Sequence, residues 1–285
     1  MGWLTRWAKA LVPARCHGWM RQARFFGFAV RCPCCGGRFR TFLSTGVMAR
    51  PNARCPRCNS VERHRLLWLY LQERTDFFSA KRRVLHVAPE PFLQDRFQAL
   101  PNLKYVSLDL EAPWAMLRAD VTEMPCRDEA FDVILCYHVL EHVPQDRKAM
   151  GELFRVLRPG GWAILQVPLD PARETTFEDP AVCTPEARKR VFGQSDHVRI
   201  YGRDYKERLE GAGFQVRVDD YVRTLEPAVV RRYGLAVDQD IYFCVKGLGG
   251  AAEPPNPTPG RVPRPLQEDG ARGDESTQER RNCVV

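Results

Sequence analysis

Acidic residues are missing from the first 61 positions of this 285-residue chain, where Glu62 is the first acid. Residues 1–83 contain seventeen Lys and Arg against three acids, a balance of +14. The whole chain has a formal net charge of +8, so the remaining residues carry −6. A basic segment joined to an acidic body suggests that residues 1–83 contact a polyanion, either RNA or an anionic membrane. A solvated charged face is the simpler interpretation, and both stay open.

Long apolar runs and disulfide-type cysteine patterns are also absent. No apolar stretch reaches the roughly 20 residues that a transmembrane helix requires, so no membrane span is expected. Arg6, Lys9 and Arg15 interrupt the N-terminus, which argues against a secretory signal. The cysteines outside two CxxC pairs show no pairing pattern, and a reducing, cytoplasmic setting is therefore expected.

The two CxxC pairs are the strongest local motif. Cys32 with Cys35 and Cys55 with Cys58 are separated by nineteen residues, a spacing typical of a four-cysteine zinc site. Four thiolates complete a closed tetrahedral structural site, which can stabilise a segment too small to form its own core. The pattern therefore predicts one structural zinc ion in an N-terminal zinc ribbon.

The residues around the pairs agree with metal-binding turns. Gly36 and Asn59 follow the two pairs, and both residue types tolerate the left-handed backbone of such a turn. Cys34 is a fifth cysteine, but only Cys35 gives the two-residue gap, so Cys34 is interpreted as a bystander thiol. A redox CxxC motif is the alternative, although that motif normally occurs singly. The apolar run after the second pair predicts a helix whose first residues, including Arg65, face solvent.

Composition divides the chain into four segments. They are a basic amphipathic segment (1–30), the zinc ribbon with its helix (31–79), an α/β domain (80–247) and a tail (248–285). The tail holds six Pro, five Gly and no aromatic residue, too little apolar material to fold, and is predicted to be disordered.

Apolar strands alternate with helical patterns from Lys81 onward. The predicted strands are Val84–Ala88, Tyr105–Leu110, Leu117–Val121, Phe131–Tyr137, Trp162–Val167, Gln215–Val218 and Ile241–Val245. Alternating β and α units predict an α/β, doubly wound, three-layer fold. In such sheets, ligands bind beyond the carboxyl ends of the strands at the point where the strand order reverses.

Four segments are expected at that edge. They are Ala88-Pro89-Glu90, Asp109, Asp120 with Val121, and Cys136-Tyr137-His138 continuing to His142. Asp109 follows Pro89 by twenty residues, the spacing at which an acid binds both hydroxyls of a ribose. Asp120 and Val121 can address the amine and ring edge of adenine. The alternative is that strand-end acids only cap the following turns, which is less persuasive for an ordered set.

The motifs RVLHVAPE, YVSLDL, LRADVTEMP, FDVILCYHVLEHV and LFRVLRPGGWAILQVP together resemble those of class I S-adenosylmethionine-dependent methyltransferases. The similarity covers about residues 81 to 247 and is greatest to the small-molecule branch that includes quinone-biosynthesis enzymes. It implies a Rossmann-like seven-stranded sheet with an antiparallel last strand. It also implies that Asp109 binds the ribose, that Asp120 and Val121 bind the adenine, and that Cys136, Tyr137 and His138 lie under the sulfonium.

The first loop departs from that family. Its acid position is His86, and its three glycine positions are Ala88, Glu90 and Phe92. Pro89 can still form a tight turn, and Glu90 can offer a carboxylate to the ammonium group of the cofactor. Loss of cofactor binding is the alternative, but the other contact positions favour retained binding by Ala88, Pro89 and Glu90.

Three histidines are candidate general bases for a hydroxyl acceptor, namely His138, His142 and His197, although a single histidine is more often structural than catalytic. A nicotinamide-dependent dehydrogenase lacks support, because its own glycine-rich motif is also absent. The residues after the fourth strand do not follow the pattern of base or amide N-methylation.

The favoured function is methyl transfer to an oxygen or carbon of an unidentified small molecule. The alternative is a non-catalytic zinc-ribbon RNA-binding protein with a degenerate methyltransferase scaffold. The sequence does not indicate an oligomeric state.

Overall fold

A computed structural model describes residues 22–46 and 49–248. Residues 1–21 of the predicted basic amphipathic segment and almost all of the tail lie outside these residues. The described residues form two compact units, one of residues 22–76 with Asp220–Asp240 and one of Phe77–Asp219 with residues 241–248. None of the described helices combines the length and apolar character needed to cross a bilayer.

The elements are numbered along the chain. The strands are β1 (Phe26–Arg31), β2 (Arg38–Phe39), β3 (Leu43–Thr45), β4 (Arg50–Arg54), β5 (Arg82–Val87), β6 (Leu103–Asp109), β7 (Leu117–Arg118), β8 (Phe131–Tyr137), β9 (Leu157–Gln166), β10 (Phe177–Glu178), β11 (Arg199–Ile200), β12 (Gln215–Asp219) and β13 (Ile241–Val245). The helices are α1 (Glu62–Arg74), α2 (Pro91–Gln98), α3 (Asp146–Val156), α4 (Pro185–Phe192), α5 (Tyr205–Gly211), α6 (Tyr221–Thr224) and α7 (Pro227–Tyr233).

The first unit contains two antiparallel hairpins, β1–β2 and β3–β4, followed by α1. Cys32 and Cys35 occupy the turn between β1 and β2, and Cys55 and Cys58 follow β4. Strands this short bury little apolar surface, so the hairpins need a further source of stability.

A segment from much later in the chain, Asp220–Asp240, also belongs to the first unit. The ring of Tyr221 packs edge-on against Tyr70 of α1 at 5.4 Å between centroids, and its hydroxyl donates to Glu73 at 2.6 Å. The sequence did not indicate this arrangement, because α6 and α7 are short and carry no motif that marks their partner.

The second unit is built on a seven-stranded sheet of order β12-β13-β9-β8-β5-β6-β7. Neighbouring strands from β7 to β9 are parallel, whereas β13 pairs antiparallel with both β9 and β12. The chain moves outward from β5 to β7 and then returns to β8, so the strand order reverses between β5 and β8. This doubly wound, Rossmann-like sheet with an antiparallel last strand confirms the predicted fold class.

Apolar strands at the centre of the sheet explain its position in the core. Every residue of β8 and of β13 is buried, as expected for strands covered on both faces. Met150 and Leu153 of α3 pack in the same core as Leu85 and Ile134. This apolar face of α3 therefore covers the sheet.

Candidate functional site

The four cysteines of the two pairs converge in the first unit. The Sγ atoms of Cys32 and Cys58 are 3.6 Å apart, and those of Cys35 and Cys55 are 3.7 Å apart. All four sulfur atoms lie within 4.8 Å of one another. Zinc with Zn–S bonds of about 2.3 Å requires sulfur–sulfur separations of about 3.8 Å in a tetrahedron. The cluster therefore fits the donor set and the spacing of a closed structural zinc site.

The turns inside the cluster have the predicted left-handed residues. Gly36 has φ of 72° and Asn59 has φ of 62°. The amide of Gly36 donates to the carbonyl of Cys32 at 2.8 Å, and the amide of Asn59 donates to the carbonyl of Cys55 at 3.1 Å. The two pairs thus form matching turns.

Cys34 is buried beside the cluster. Its Sγ donates to the carbonyl of His64 at 3.7 Å, which requires the protonated thiol. Burial raises the pKa of Cys34 well above its ordinary value. Cys34 is therefore not one of the four converging sulfurs, in agreement with its interpretation as a bystander.

The Arg65 side chain is fully buried, which makes the prediction of a solvent-exposed residue wrong. Its guanidinium lies 4.2 Å from the centroid of the Phe42 ring. It donates to the carbonyls of Ala53, Ser60, Tyr233 and Gly234 at 2.6–3.0 Å. Burial lowers the pKa of Arg65, and negative charge on Cys32 opposes this shift. A buried cation needs negative charge nearby, which a thiolate cluster supplies.

The second group of candidate residues lies at the carboxyl edge of the large sheet. Strands β5, β6 and β8 are parallel and adjacent, so their carboxyl ends meet at this edge. Ala88, Asp109 and His138 directly follow or end these three strands. These three positions thus lie at the carboxyl edge of the sheet, at or next to the point where the strand order reverses, which is where open α/β sheets bind ligands.

Asp109 ends β6 and is half-buried. Its Oδ1 accepts hydrogen bonds from the amides of Glu111 and Ala112, both at 2.8 Å. Within the described residues, its Oδ2 has no hydrogen-bond donor. One carboxylate oxygen of Asp109 therefore caps the following turn, and the other is available to a ligand. The geometry is compatible with both predicted roles, turn capping and ribose binding.

The glycine-free first loop retains a backbone shape typical of glycine. Ala88 has φ of 50°, in the left-handed region, and its amide donates to the carbonyl of Leu108 at 2.8 Å. The buried His86 contacts the Tyr105 hydroxyl through Nδ1 at 2.8 Å, while its Nε2 lies 3.8 Å from the Glu90 carboxylate. The buried Pro89 accepts a hydrogen bond from the Trp114 indole through its carbonyl.

Asp120 and Val121 follow the short strand β7. Asp120 is exposed, and its Oδ1 accepts from the amide of Thr122 at 2.8 Å. The Val121 side chain is buried in the core, which leaves its backbone as the group able to face a ligand. The predicted third strand is reduced to the two residues Leu117–Arg118.

The three predicted site residues at the end of β8 differ in the burial of their side chains. The Cys136 side chain is buried in the core, and burial raises the pKa of its thiol. Tyr137 is also buried. His138 is 23% exposed, has φ of 55° and places Nδ1 3.2 Å from Glu141 Oε1. Of these three residues, His138 has the most accessible side chain.

Glu141, His142 and His197 form a second cluster. One carboxylate oxygen of Glu141 and one ring nitrogen of each histidine all lie within 4.8 Å of one another. Glu141 is only 1% exposed, and its Oε2 has no hydrogen-bond partner among the described residues. The rings of His142 and His197 meet edge-on at 4.8 Å, and burial lowers the pKa of His197. The structure thus brings together two predicted histidines around a carboxylate that the sequence analysis did not select.

Arg199 fixes the segment that carries His197. It is 2% exposed and donates to the carbonyls of Leu140, Val143 and Pro144 at 2.5–2.8 Å. It also pairs with Glu178 at 3.0 Å. These contacts hold the loop after β8 and the segment before β11 in one arrangement.

Three apolar side chains near Asp109 were missed by the sequence analysis. Leu110, Trp114 and Met116 are 57%, 48% and 52% exposed, unusual for large apolar residues in one connection between strands. The sequence feature that could have indicated them is the apolar Leu110 directly after the strand-end acid Asp109. Together with Asp109 Oδ2 and the shape of the Ala88 turn, these residues fit a nucleoside cofactor, which presents hydroxyls and a flat apolar ring.

Part of the chain is similar in sequence to known methyltransferases. Residues 94–165 match a family described as "Methyltransferase domain". Over 84 residues the chain is 31% identical to a sterol 4-C-methyltransferase of Caenorhabditis elegans, covering 30% of this chain and 23% of that protein. Over 49 residues it is 39% identical to a demethylmenaquinone methyltransferase of Clavibacter sepedonicus, covering 17% and 20%.

The chain spans less than a third of the length of these curated relatives. Among solved structures, YcgJ of Bacillus subtilis has a TM-score of 0.44 at 15% identity, covering 64% of this chain and 97% of that one. The region matched by the family includes Asp109, Asp120 and His138. The findings support a methyltransferase domain at the general level and identify no methyl acceptor.

Proposed function

We propose that this chain is an S-adenosylmethionine-dependent methyltransferase that acts on an oxygen or carbon of a small molecule. The observation that carries the proposal is Asp109 at the end of β6. One of its oxygens is fixed by two backbone amides, and the other is available beside the exposed Leu110. A carboxylate oriented in this way suits a pair of ribose hydroxyls.

The cofactor, when bound, supplies a methyl group already activated by its sulfonium. The residues of the chain then need to hold it, align the acceptor and exclude water. Asp109 binds the ribose, and Asp120 with the backbone of Val121 contacts the adenine edge. Glu90 offers the carboxylate for the amino group, and the Ala88–Pro89 turn gives the backbone room to approach.

His138 is the proposed proton acceptor for a hydroxyl substrate. Its Nδ1 is held 3.2 Å from Glu141 Oε1, which leaves Nε2 to accept a proton. This is the arrangement in which a carboxylate fixes the tautomer and orientation of a catalytic imidazole. Partial exposure of His138 allows contact with a substrate, whereas Cys136 and Tyr137 serve as the packed support behind it.

The four-cysteine cluster is proposed as a structural zinc site. All four positions of a tetrahedral ion are taken by Cys32, Cys35, Cys55 and Cys58, so no position remains for a substrate. The hairpins of the first unit are short, and zinc would provide the stability that their small apolar core does not.

An RNA-contacting role for the first unit is supported by an aromatic face on β1. Phe26 and Phe28 are 62% and 72% exposed and lie edge-on at 5.4 Å. The Arg38 guanidinium is 5.8 Å from the centroid of the Phe28 ring. The Arg40 guanidinium is 5.7 Å from the ring centroid of the half-buried Phe25, which lies just before β1. Exposed aromatic rings beside arginines are what single-stranded nucleic acid binds through base stacking and phosphate contacts. We propose single-stranded RNA as the partner of this face.

Calorimetry with S-adenosylhomocysteine and S-adenosylmethionine tests the main proposal. The expected result is one site per chain with a dissociation constant in the micromolar range, about −8 kcal/mol. The same titration with NADH is the control and should show no binding.

Absence of binding by either adenosyl compound in the folded protein would contradict the proposal. That outcome would favour the alternative of a non-catalytic scaffold. Binding of NADH alone would indicate a dehydrogenase instead.

A further inference from the structure

We propose that Glu141, His142 and His197 form a binding site for a divalent transition-metal ion, separate from the four-cysteine cluster. One carboxylate and two imidazoles supply three ligands that lie within 4.8 Å of one another. Zn²⁺, Fe²⁺ and Mn²⁺ all accept such mixed oxygen and nitrogen sets, with further positions left open.

The carboxylate is the first argument for a cation. Glu141 is 1% exposed, and its Oε2 is buried without a hydrogen-bond partner among the described residues. Its other oxygen, Oε1, lies 3.2 Å from His138 Nδ1. A buried carboxylate oxygen without a donor is strongly unfavourable, because burial removes the water that would solvate it. A metal ion would satisfy this oxygen and neutralise the charge.

The orientation of His142 is the second argument. Its Nδ1 lies 3.3 Å from the carbonyl oxygen of Asp196 and 3.3 Å from the Asp196 carboxylate. Its Nε2 is on the side of Glu141, 3.9 Å from Oε1. A metal-binding histidine typically donates one ring N–H to a carboxylate or carbonyl and offers the other nitrogen to the metal. Asp196 provides that outer partner for His142.

The rigidity of the surroundings is the third argument. The amide of Val198 donates to the carbonyl of Glu141 at 2.9 Å, and Arg199 holds three carbonyls of the same loop. The two segments that supply the ligands are therefore fixed to each other. Ligands fixed in this way lose little conformational entropy when an ion binds.

The site also indicates an acceptor class, an inference that rests on the proposed methyltransferase function. Glu141 neighbours His138 at the carboxyl end of β8. A metal with open positions would bind an acceptor hydroxyl directly and lower its pKa, so His138 would remove its proton more readily. The favoured acceptor is therefore a hydroxyl oxygen that can bind the metal.

Manganese titration of the zinc-loaded protein tests the site. Mn²⁺ prefers oxygen and nitrogen ligands to thiolates, so the cysteine cluster should retain zinc. Loss of the free Mn²⁺ signal in electron paramagnetic resonance should reveal one bound ion per chain. Glu141→Gln and His197→Gln should each weaken binding at least about 100-fold, and Asp196→Ala about 10-fold to 100-fold.

Asp109→Asn is the matched control, because it removes a carboxylate charge from the same sheet edge outside the cluster. It should leave Mn²⁺ affinity unchanged. Circular dichroism and thermal unfolding establish that each variant is folded, and the exposed Asp196 provides a variant that does not disturb the core. Wild-type protein that binds neither Mn²⁺ nor additional Zn²⁺, or wild-type Mn²⁺ affinity in both Asp196→Ala and His197→Gln, would overturn the proposal.

The two proposals fail independently. Metal binding without binding of S-adenosylhomocysteine would leave the metal site standing and remove its role in methyl transfer. Binding of S-adenosylhomocysteine without a second metal would leave the methyltransferase standing and remove this site.

Discussion

The amide of Val198 donates to the carbonyl of Glu141 at 2.9 Å, although the two residues are far apart in the sequence. This bond joins the loop after β8 to the segment that carries His197. Arg199 continues the attachment through three more carbonyls and an ion pair with Glu178. The arrangement of the candidate site thus depends on a segment outside the central strands.

Replacement of Arg199 tests that dependence. Arg199→Met should lower the free energy of unfolding by about 3–5 kcal/mol. The substitution removes a positive charge near the buried Asp146 carboxylate and leaves several carbonyls without a hydrogen-bond donor. The matched control is Arg203→Met, whose ion pair with Glu174 is exposed and should contribute at most about 1 kcal/mol. Urea denaturation measures both, and equal losses would contradict the anchoring role.

Removal of the Asp109 carboxylate should abolish cofactor binding without unfolding the protein. Asp109→Ala deletes the proposed ribose ligand at a half-buried strand end, so calorimetry should detect no binding of S-adenosylhomocysteine. Asp179→Ala is the control, because Asp179 also accepts from an amide two residues later, in an exposed turn. Wild-type affinity in folded Asp109→Ala protein would refute the cofactor assignment.

Metal analysis should find one zinc per chain in the cysteine cluster of protein purified without chelator. Cys55→Ser combined with Cys58→Ser removes two of the four thiolates and should eliminate that zinc. Cys34→Ser is the matched control and should retain it, since the Cys34 thiol donates to a carbonyl. Less than half an equivalent in the reduced wild type, or zinc retained by the double variant, would count against the ribbon.

The left-handed backbone at Ala88 predicts a substitution that stabilises the protein. A non-glycine residue in the left-handed region costs about 1–2 kcal/mol, and glycine costs about 0.5–1 kcal/mol in unfolded-state entropy. Ala88→Gly should therefore raise the free energy of unfolding by up to about 1 kcal/mol, whereas Ala88→Val should lower it. Thermal unfolding measures both, and a loss of stability in the glycine variant would show that the Ala88 methyl group contributes packing.

The sequence predicted the large sheet well because its central strands are continuous apolar runs. The predicted bounds of Phe131–Tyr137 and Ile241–Val245 agree with the structure. Such strands are buried on both faces, and their hydrophobicity alone marks them. The third strand, predicted as Leu117–Val121, contains fewer apolar residues, and only its first two residues pair.

Long-range contacts explain what the sequence did not predict. Arg65 was expected in solvent because arginine is rarely buried. It is buried because carbonyls from Tyr233 and Gly234, distant in sequence, accept its hydrogen bonds. Glu141 was overlooked for the same reason. It lies close to His197, which is about 55 residues later in the chain.

The exposed aromatic pair on β1 gives the last prediction. If single-stranded RNA stacks on Phe26 and Phe28, the double variant Phe26→Ala with Phe28→Ala should lose about 1–3 kcal/mol of binding free energy per stacked base. Affinity for a short oligouridine should also fall steeply with salt, because each neutralised phosphate releases counterions. The double variant should keep that salt slope, whereas Arg38→Ala should reduce it.

Val237→Ala is the control, since Val237 is an exposed apolar residue of the same unit. Fluorescence anisotropy measures these affinities, and vesicles containing phosphatidylserine test the membrane alternative. Binding to vesicles but not to RNA, or no binding to either at low salt, would contradict an RNA-contacting face.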